Sequence, residues 1–380
     1  MKNNFLLQPD IYYLNHGSFG ACPREIFEVY QNFQIELERQ PVEFLVRKST
    51  QRLNAVRRIV SKFLNADENS IAFISNTTYG VNAVAFSIIL NEGDEVLTTN
   101  MEYGACDRVW NFYSNQKRFT YKKLQINIPI TNENEIFDLF KKNINFKTKV
   151  IFLSHIVSST ALVMPIEKIC KYARSKGIIT VIDGAHCPGQ IDLDLEKIEA
   201  DVYIGNFHKW ILTPKTSAFI YCKPQLQKLL KPPVLSWGNL WEYPNDNEFI
   251  ADFEMQGTRD FSALLTIPYA IEFWSRNVKN VIFDFASVEK QKLCKKLTEI
   301  FNNEPLAKDL SMFKLMYSHF LPKEINALEL KNWLWDSCRI EIPIMKLGDR
   351  NLIRASFQIY NNSQEYNYLV DCLDYFLKKI

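Results

Sequence analysis

The sequence predicts an α/β fold in which helices sandwich a mostly parallel sheet, followed by a smaller α+β domain. Three observations predict it. Short runs rich in β-branched residues alternate with amphipathic stretches through the middle of the chain. Polar residues stand at the ends of these runs rather than at their starts. After a proline-containing passage, 231–244, helical patterns and then β-rich patterns replace the alternation.

Six short runs are typical of buried strands, because they are apolar and rich in β-branched and aromatic residues. Amphipathic stretches lie between them. One of these, 165–177, has Pro165 at its start and Gly177 at its end, as helix termini prefer. Alternation of this kind produces a parallel sheet covered on both faces, so the runs are predicted to form one sheet. The predicted strands are 71–76, 95–100, 149–155, 178–183, 201–206 and 217–222.

The composition changes beyond the passage 231–244. Helical patterns dominate the range 262–287 and occur again over 288–302. A β-rich tail follows, and an amphipathic stretch ends the chain. These patterns predict the smaller α+β domain.

Composition and charge restrict the class of protein. The 380 residues are 47% hydrophobic and 23% charged, as in ordinary globular proteins. The net charge is +2 without a long like-charged block, so nothing indicates a nucleic-acid or membrane-surface protein. Neither a signal-peptide pattern nor a bilayer-spanning apolar run is visible. The eight cysteines form no C-x-x-C pair, which argues against a zinc site or a disulfide framework. Reduced thiols in a cytoplasmic protein are the simplest interpretation.

Two ionisable residues follow consecutive predicted strands at their carboxyl ends, where parallel sheets bind ligands. Asp183 ends one strand, and an aspartate buried there is costly unless it meets a cation or a strong donor. Lys209 follows the next strand, and a lysine in apolar surroundings is suited to forming Schiff bases. The alternatives are a capping or loop aspartate, and a lysine whose ammonium reaches solvent along Trp210.

The stretch SNTTYGVN, 75–82, runs from a strand into a helix through two threonines. Backbone N–H groups at the start of that helix attract a phosphate, and the hydroxyls of Thr77 and Thr78 would assist. The alternative is ordinary helix capping by threonine.

The stretch LIRASFQIYNN, 352–362, places Arg354 on a predicted strand among apolar residues. A guanidinium there could bind a carboxylate through two hydrogen bonds. The alternative is a structural ion pair.

Glycine and histidine concentrate in these candidate stretches. The chain has only 12 glycines and five histidines. The histidines in candidate stretches are His16, His155, His186 and His208, which leaves only His319 outside them. This clustering favours a shared site over unrelated polar loops.

The sequence resembles the pyridoxal-phosphate (PLP) enzymes of fold type I in the class V aminotransferase group. Within that group it is most similar to the isopenicillin N epimerase-like branch. The resemblance spans nearly the whole chain and its motifs occur in the family's order. They are YLNHGSFGACP (13–23), QPVEFLVR (40–47), NTTYGVN (76–82), SHIVSSTALVMPI (154–166), DGAHCPGQ (183–190), GNFHKW (205–210), QGTRD (256–260), IEIPI (340–344) and IRASFQIYN (353–361).

The resemblance implies roles at the cofactor. Lys209 would hold PLP through a Schiff base, and Asp183 would pair with the pyridine nitrogen so that the ring accepts electrons. Tyr103, where relatives often have histidine, would stack on the ring, and His186 would lie near the ring hydroxyl or under its face. These residues would be the catalytic ones. Further cofactor contacts would come from Thr77, Thr78, Ser158, Asn206 and His208.

The resemblance also implies a substrate side and a dimer. Gly257 and Thr258 would complete the phosphate site from a second subunit, which implies a homodimer with shared active sites. Arg354 would bind the carboxylate of an amino-acid-type substrate, and Asn15 and His16 would line the substrate side. No metal is implied.

The reaction stays open, because several outcomes share the removal of the substrate's Cα proton. Return of a proton on the other face gives an epimerase, with Tyr103 and His16 as candidate donors. Loss of a β-substituent gives a C–S lyase, the main alternative, and proton transfer to the cofactor gives a transaminase. A non-catalytic PLP-binding protein is a further alternative, against which the intact Lys209, Asp183 and Arg354 argue. Cys338 lacks the glycine-rich loop of desulfurases and is predicted to be a packing residue.

The predicted domains follow from the composition change and the motifs. Residues 1–20 would form an N-terminal segment at the active site. Residues 21–255 would form the large PLP-binding domain, and residues 256–380 the small C-terminal domain.

Overall fold

The computed structural model describes residues 1–240 and 245–379. Its main sheet has seven strands in the order β2-β8-β7-β6-β5-β3-β4. Pairing is parallel from β4 across to β7, and β8 is antiparallel to both of its neighbours. The strands of the chain are β1 (Tyr12–Tyr13), β2 (Ile71–Ile74), β3 (Glu95–Thr99), β4 (Thr120–Leu124), β5 (Thr148–Ser154), β6 (Ile179–Gly184), β7 (Val202–Asn206), β8 (Ala218–Cys222), β9 (Met316–Phe320), β10 (Ile340–Glu341), β11 (Ile344–Leu347) and β12 (Arg350–Ser356).

All six predicted strands lie in this sheet, as β2, β3, β5, β6, β7 and β8. The sequence did not reveal β4, which forms the edge of the sheet beside β3. Its sequence TYKKL is mostly solvent-facing, since only Leu124 is buried. An edge strand needs no continuous apolar run, so the apolar signal used to recognise the other strands is missing there.

Helices cover both faces of the sheet. The predicted helix at 165–177 is found at Ile166–Ser175, preceded by Pro165. The helices are α1 (His16–Phe19), α2 (Arg24–Arg39), α3 (Ser49–Leu64), α4 (Thr77–Ser87), α5 (Gly104–Lys117), α6 (Glu133–Asn143), α7 (Ile166–Ser175), α8 (Leu195–Ile198), α9 (Pro224–Gln227), α10 (Glu248–Glu254), α11 (Ser262–Leu265), α12 (Ile267–Asn277), α13 (Lys279–Phe301), α14 (Ala327–Asp336) and α15 (Ser363–Leu377).

The boundary between the helices after residue 262 differs from the prediction. The sequence indicated a change near residue 287, whereas α12 ends at Asn277 and α13 runs unbroken from Lys279 to Phe301. No proline or glycine marks the true break at Val278, so the apolar pattern continues across it. Of the passage 231–244, residues 241–244 lie outside the described residues.

Alternate residues of the central strands enter two separate apolar clusters, one on each face of the sheet. On β5, Ile151 and Leu153 belong to one cluster, and Val150 and Phe152 belong to the other. Strands buried on both faces carry almost no polar side chains except at their ends. Polar side chains therefore occur at the ends of these strands, outside the two apolar clusters. The carboxyl ends of the strands are where a functional site is expected.

The β-rich tail forms a three-stranded antiparallel sheet in the order β11-β12-β9. The N-terminal strand β1 pairs in parallel with β10, so the start of the chain is fastened to its C-terminal part. This pairing carries the segment after β1 to the strand β12 that bears Arg354. Within the described ranges, no helix is long and apolar enough to cross a membrane.

Candidate active site

A cavity of about 430 Å³ opens at the carboxyl ends of β5, β6 and β7. Its walls come from the strand ends, the start of α4, the loop after β7 and the strand β12. It brings together most of the residues that the sequence nominated. Those lining it are Thr77, Thr78, Tyr103, Ser158, Asp183, His186, Asn206, His208, Lys209 and Arg354.

Lys209 extends into this cavity from the loop after β7. Its Nζ lies 3.1 Å from Nε2 of His186. Burial lowers the pKa of the Lys209 ammonium to about 8, with help from the charge of Arg354 and against the charge of Asp183. With this pKa about a tenth of the amine is unprotonated at pH 7, far more than for a lysine with the ordinary pKa, and the unprotonated amine is the nucleophilic form.

Asp183 ends β6 and is only 4% exposed. Its Oδ1 accepts a hydrogen bond of 2.9 Å from the backbone N–H of Ala185, and its Oδ2 lies 3.5 Å from the thiol of Cys106. Burial raises the pKa of the carboxyl group. Since none of the described salt bridges includes Asp183, a protonated ring nitrogen entering the cavity would supply the cation that this carboxylate lacks.

The start of α4 offers an unused hydroxyl to the cavity. Asn76 caps this helix by accepting from the backbone N–H of Tyr79, so the alternative of capping by threonine is wrong. The Oγ1 atom of Thr77 is buried without a hydrogen-bond partner among the described residues. A buried polar atom of this kind requires a partner, and a phosphate oxygen would be one.

Asn206 and His208 complete this end of the cavity. Asn206 uses Oδ1 to accept from the backbone N–H of Thr77 at 3.0 Å, so it orients the helix start. Nδ1 of His208 donates to the carbonyl oxygen of Ser217 at 3.0 Å, so a neutral ring carries its lone pair on Nε2. Burial lowers the pKa of His208 to about 4, so the imidazole is neutral.

Arg354 is a buried guanidinium that forms no ion pair with a carboxylate of the described residues. It is 1% exposed, and NH1 donates to the carbonyl oxygen of Ser158 at 2.6 Å and to its Oγ at 3.2 Å. NH2 donates to Ser18 at 3.2 Å and to Asn15 at 3.5 Å. The alternative of a structural ion pair is not found among the described residues, and burial lowers the pKa of Arg354 to about 10. An anion from outside is the missing partner.

The structure corrects the placement of Asn15 and His16, neither of which lines the cavity. Asn15 lies behind Arg354 and links it to Glu341, whose Oε1 accepts from Asn15 at 2.9 Å. His16 is fully buried, with Nε2 2.9 Å from the carbonyl oxygen of Lys209 and Nδ1 2.9 Å from the hydroxyl of Tyr360. His16 therefore cannot donate a proton into the cavity.

Two further predicted residues stand apart from the cavity of their own chain. Gly257 and Thr258 are not among its lining residues. Gly257 has a φ of +100° and open space around it. Ser158 does line the cavity, but its hydroxyl contacts Arg354, so the cofactor contact expected of it stays a prediction.

Several residues of this region were not singled out in the sequence. Ser18 binds Arg354, and Lys215 and Phe19 line the cavity mouth. Behind Asp183 lies the buried carboxyl of Glu102, which accepts from Ser154, and burial raises its pKa to about 7. Cys106 gave no signal, being one of eight scattered cysteines, whereas Ser18 stands in the NHGSFG motif and could have been suspected.

The sequence profile of the aminotransferase class-V family matches residues 12–309. The chain belongs to this family. It is 30% identical to an isopenicillin N epimerase of Amycolatopsis lactamdurans, over 97% of this chain and 95% of the relative. It is 27% identical to a probable chloroplastic L-cysteine desulfhydrase of Arabidopsis thaliana, over 96% of this chain and 83% of the relative.

Solved structures confirm the fold. A cysteine desulfurase from Thermococcus onnurineus superposes with a TM-score of 0.85 at 19% identity, covering 100% of this chain and 98% of the other. The cystine C–S lyase C-DES, in complex with its product cysteine persulfide, gives a TM-score of 0.80 at 21% identity, covering 96% and 98%. The predicted fold type I architecture is thereby confirmed.

This class-V protein is a PLP-dependent enzyme, as its family and relatives show. Three features of the cavity fit the cofactor. Among the described residues, one cavity is lined by an amine with a lowered pKa, a buried carboxylate that forms no salt bridge and a residue whose buried hydroxyl has no hydrogen-bond partner. Cys338 is 5% exposed and outside this cavity, in line with a packing role.

The pKa of Lys209 predicts how cofactor uptake depends on pH. We expect the rate of PLP attachment to cofactor-free protein to rise with pH and level off above about 8, because the unprotonated amine becomes the main form there. Absorbance after rapid mixing across pH 6–10 measures this. Nα-acetyl-lysine is the control, with a midpoint at the ordinary lysine pKa. A protein profile that still climbs steeply at pH 10 would contradict the assignment.

Proposed function

We propose that this class-V enzyme removes the Cα proton of an amino acid or a small modified peptide and acts as an isopenicillin N epimerase-like enzyme. One observation carries the proposal. The amine of Lys209 lines the same cavity as the guanidinium of Arg354, for which the described part of the chain supplies no anionic partner. An α-amino acid presents a carboxylate next to the Cα proton, so it matches this pair of groups.

The cofactor would be held by the residues whose free groups line the cavity. Lys209 would bind it covalently, Asp183 would pair with its ring nitrogen, and Tyr103 would stack on the ring. The phosphate would lie at the start of α4 against Thr77, Thr78, Asn206 and His208. When bound, PLP supplies an electron sink for the bond that is broken at Cα.

The protein groups would then act in a fixed order. Arg354 binds the substrate carboxylate with two hydrogen bonds, held in place by Ser158. The amine of Lys209, released by the substrate's own amine, accepts the Cα proton. Tyr103 lines the cavity, so its phenol is the candidate that returns a proton on the opposite face. Both ring nitrogens of His16 contact groups outside the cavity, which supports the choice of Tyr103 for this role.

A C–S lyase is the second candidate function. Two relatives of Arabidopsis thaliana named as L-cysteine desulfhydrases are 27% and 26% identical to this chain over 96% of its length. Elimination of a sulfur leaving group needs Lys209 but not a second proton donor. No cysteine lines the cavity in the part of the chain that the structure describes, so a persulfide on the protein is not part of this proposal.

Incubation with a panel of amino acids in deuterated water separates the candidates. Deuterium at Cα with loss of chirality supports the epimerase. Pyruvate, ammonia and a released sulfur product support the lyase, and accumulation of pyridoxamine phosphate supports a transaminase. Tyr103→Phe adds a second criterion, because it should abolish racemisation and spare elimination. Absence of deuterium exchange across the panel would contradict Cα deprotonation.

Arg354→Ala is expected to weaken substrate binding. Hydrogen bonds to a charged group contribute about 1.5–3 kcal/mol, so we expect KM for an amino-acid substrate to rise about 10- to 100-fold. Steady-state kinetics measures the change. Arg350→Ala is the matched control, since Arg350 stands on the same strand and its guanidinium lies over the ring of Phe320. Unchanged KM in Arg354→Ala would show that the carboxylate binds elsewhere.

We further propose a homodimer with shared active sites in which Gly257 and Thr258 reach the partner's phosphate site. Their place outside the cavity of their own chain is compatible with this arrangement. The division into a segment (1–20), a large domain (21–255) and a small domain (256–380) is part of the same proposal. A cytoplasmic location stays a prediction.

Subunit mixing tests the sharing of sites. Lys209→Ala removes the amine, and Thr258→Asp places a carboxylate against the expected phosphate, so each variant alone should be inactive. If Thr258 acts on the partner, a mixed dimer has one intact site. Random reassortment should then restore about a quarter of wild-type activity. Should Thr258 act within its own chain, the mixture stays inactive.

A further inference from the structure

The imidazole of His186 contacts two other groups through its two ring nitrogens. Nε2 lies 3.1 Å from Nζ of Lys209, and Nδ1 lies 3.5 Å from Nε1 of Trp210. Trp210 is fully buried and directly follows the lysine in sequence. The cofactor contact that the family resemblance implies for His186 makes no use of Trp210.

The chemistry of these groups fixes where the protons lie. An indole N–H can only donate, so Nδ1 of His186 must accept from Trp210. A neutral imidazole carries its single proton on the other nitrogen, here Nε2. Burial lowers the pKa of His186, and the charge of Arg354 lowers it further, so the neutral form holds.

The proton on Nε2 points at Nζ of Lys209. An ammonium has three donors and no acceptor, so a charged Lys209 would set two N–H groups against each other. An unprotonated amine has a lone pair that accepts the hydrogen bond. The contact therefore favours the free amine, the form that adds to a carbonyl carbon or takes up a proton.

We propose that Trp210 is a positioning residue that fixes the His186 tautomer with its proton on Nε2, so that His186 donates a hydrogen bond to the unprotonated amine of Lys209. The proposal rests on the proposed function only for its use in catalysis. The tautomer itself is a property of the protein without cofactor.

The N-terminal segment holds Trp210 in this orientation. The ring of His16 packs on the indole, with ring centroids 4.8 Å apart. The backbone N–H of Ala21 donates to Nδ1 of His16, so the proton of His16 is on Nε2, which donates to the carbonyl oxygen of Lys209. At Gly20, an added Cβ would lie 2.2 Å from the carbonyl oxygen of His208, so the segment can approach only as glycine. This close packing holds the backbone of Lys209 and the indole of Trp210 in place on the side away from the cavity.

Nitrogen-15 NMR of the full-length, cofactor-free protein labelled at histidine reads the tautomer directly. The chain has five histidines, and the resonances of His186 are identified by their loss in His186→Gln. We expect a pyrrole-like shift at Nε2 and a pyridine-like shift at Nδ1. A pyrrole-like Nδ1 in the wild-type protein overturns the proposal, and this measurement needs no Trp210 variant to fold.

Trp210→Phe keeps an aromatic ring and removes the N–H. We expect the two tautomers of His186 to mix and the reaction of Lys209 with an amine reagent, followed by peptide mass spectrometry, to slow about tenfold at neutral pH. That is the change produced by one unit in the titration midpoint. Trp274→Phe is the matched control, since Trp274 is buried with an indole N–H that has no partner among the described residues. A Trp210→Phe protein that matches wild type in both measurements overturns the proposal.

These readouts distinguish the two proposals. If the tautomer is as expected but PLP does not attach to Lys209, the proposed function fails and the positioning role stands. If PLP attaches and the tautomer is the opposite one, only the positioning role fails.

Discussion

Lys209→Ala is expected to reduce turnover by at least ~10³-fold, within the range that removal of a proton-transfer group produces, because the same amine binds the cofactor and accepts the Cα proton. Borohydride reduction of the wild-type holoenzyme followed by peptide mass spectrometry should locate the cofactor on Lys209. The variant should retain no reducible cofactor.

A second buried lysine provides the control. Burial also lowers the pKa of Lys290 to about 8, and its Nζ donates to the carbonyl oxygen of Phe313 at 2.6 Å. Lys209 and Lys290 therefore both have a lowered pKa, but only Lys209 has Asp183 and Arg354 as neighbours. Lys290→Met should leave turnover per folded molecule unchanged, and borohydride should never label Lys290. Cofactor found on Lys290, or full activity in Lys209→Ala, would refute the central assignment.

The position of the site could be predicted because the carboxyl ends of parallel strands lie side by side at one end of the sheet. Asp183 and Lys209 follow consecutive strands in sequence, and β6 and β7 are neighbours in the sheet. Their meeting in one cavity needed only the alternation of strands and helices. The same reasoning placed Thr77 and Asn206 there. Reactive residues at the carboxyl ends of the parallel strands could therefore be recognised in this sequence.

The N-terminal segment shows where such reasoning ends. The motif NHGSFG indicated a site, but a sequence does not show which way a side chain points. Tertiary packing directs His16 toward the backbone of Lys209 and Asn15 toward Arg354. Both residues support reactive groups from behind instead of facing the cavity. Contacts across more than 190 residues, such as that of His16 with Lys209, depend on the complete fold.

The burial of Arg354 could be predicted from the sequence, but its binding partner could not. Its apolar neighbours in sequence predicted a buried guanidinium, and the choice between ion pair and ligand site stayed open. The structure shows four neutral acceptors and no carboxylate around it among the described residues. A buried cation with neutral partners only is costly, and a substrate carboxylate offsets that cost.

Asp183→Asn is expected to have the next largest effect. The carboxylate is buried and lacks a cation of its own among the described salt bridges, so the ring nitrogen of the cofactor would be its charged partner. Removing one partner from a buried charge pair costs about 3–5 kcal/mol, which corresponds to a loss of roughly 150- to 5,000-fold. We expect turnover to fall by this factor while the amide keeps the hydrogen bond from Ala185.

Asp201→Asn is the matched control for this prediction. It removes a carboxylate that precedes β7, at the amino-terminal ends of the strands and away from the cavity. Asp201 accepts from the backbone N–H of Thr180 at 2.8 Å and pairs with Lys223. Its loss should lower Tm without changing turnover per folded molecule. Asp183→Asn should instead change the pH dependence of the cofactor's absorption, because the ring nitrogen loses the anion that keeps it protonated. If Asp183→Asn keeps wild-type turnover and the same absorption titration, the ring nitrogen binds elsewhere in the cavity.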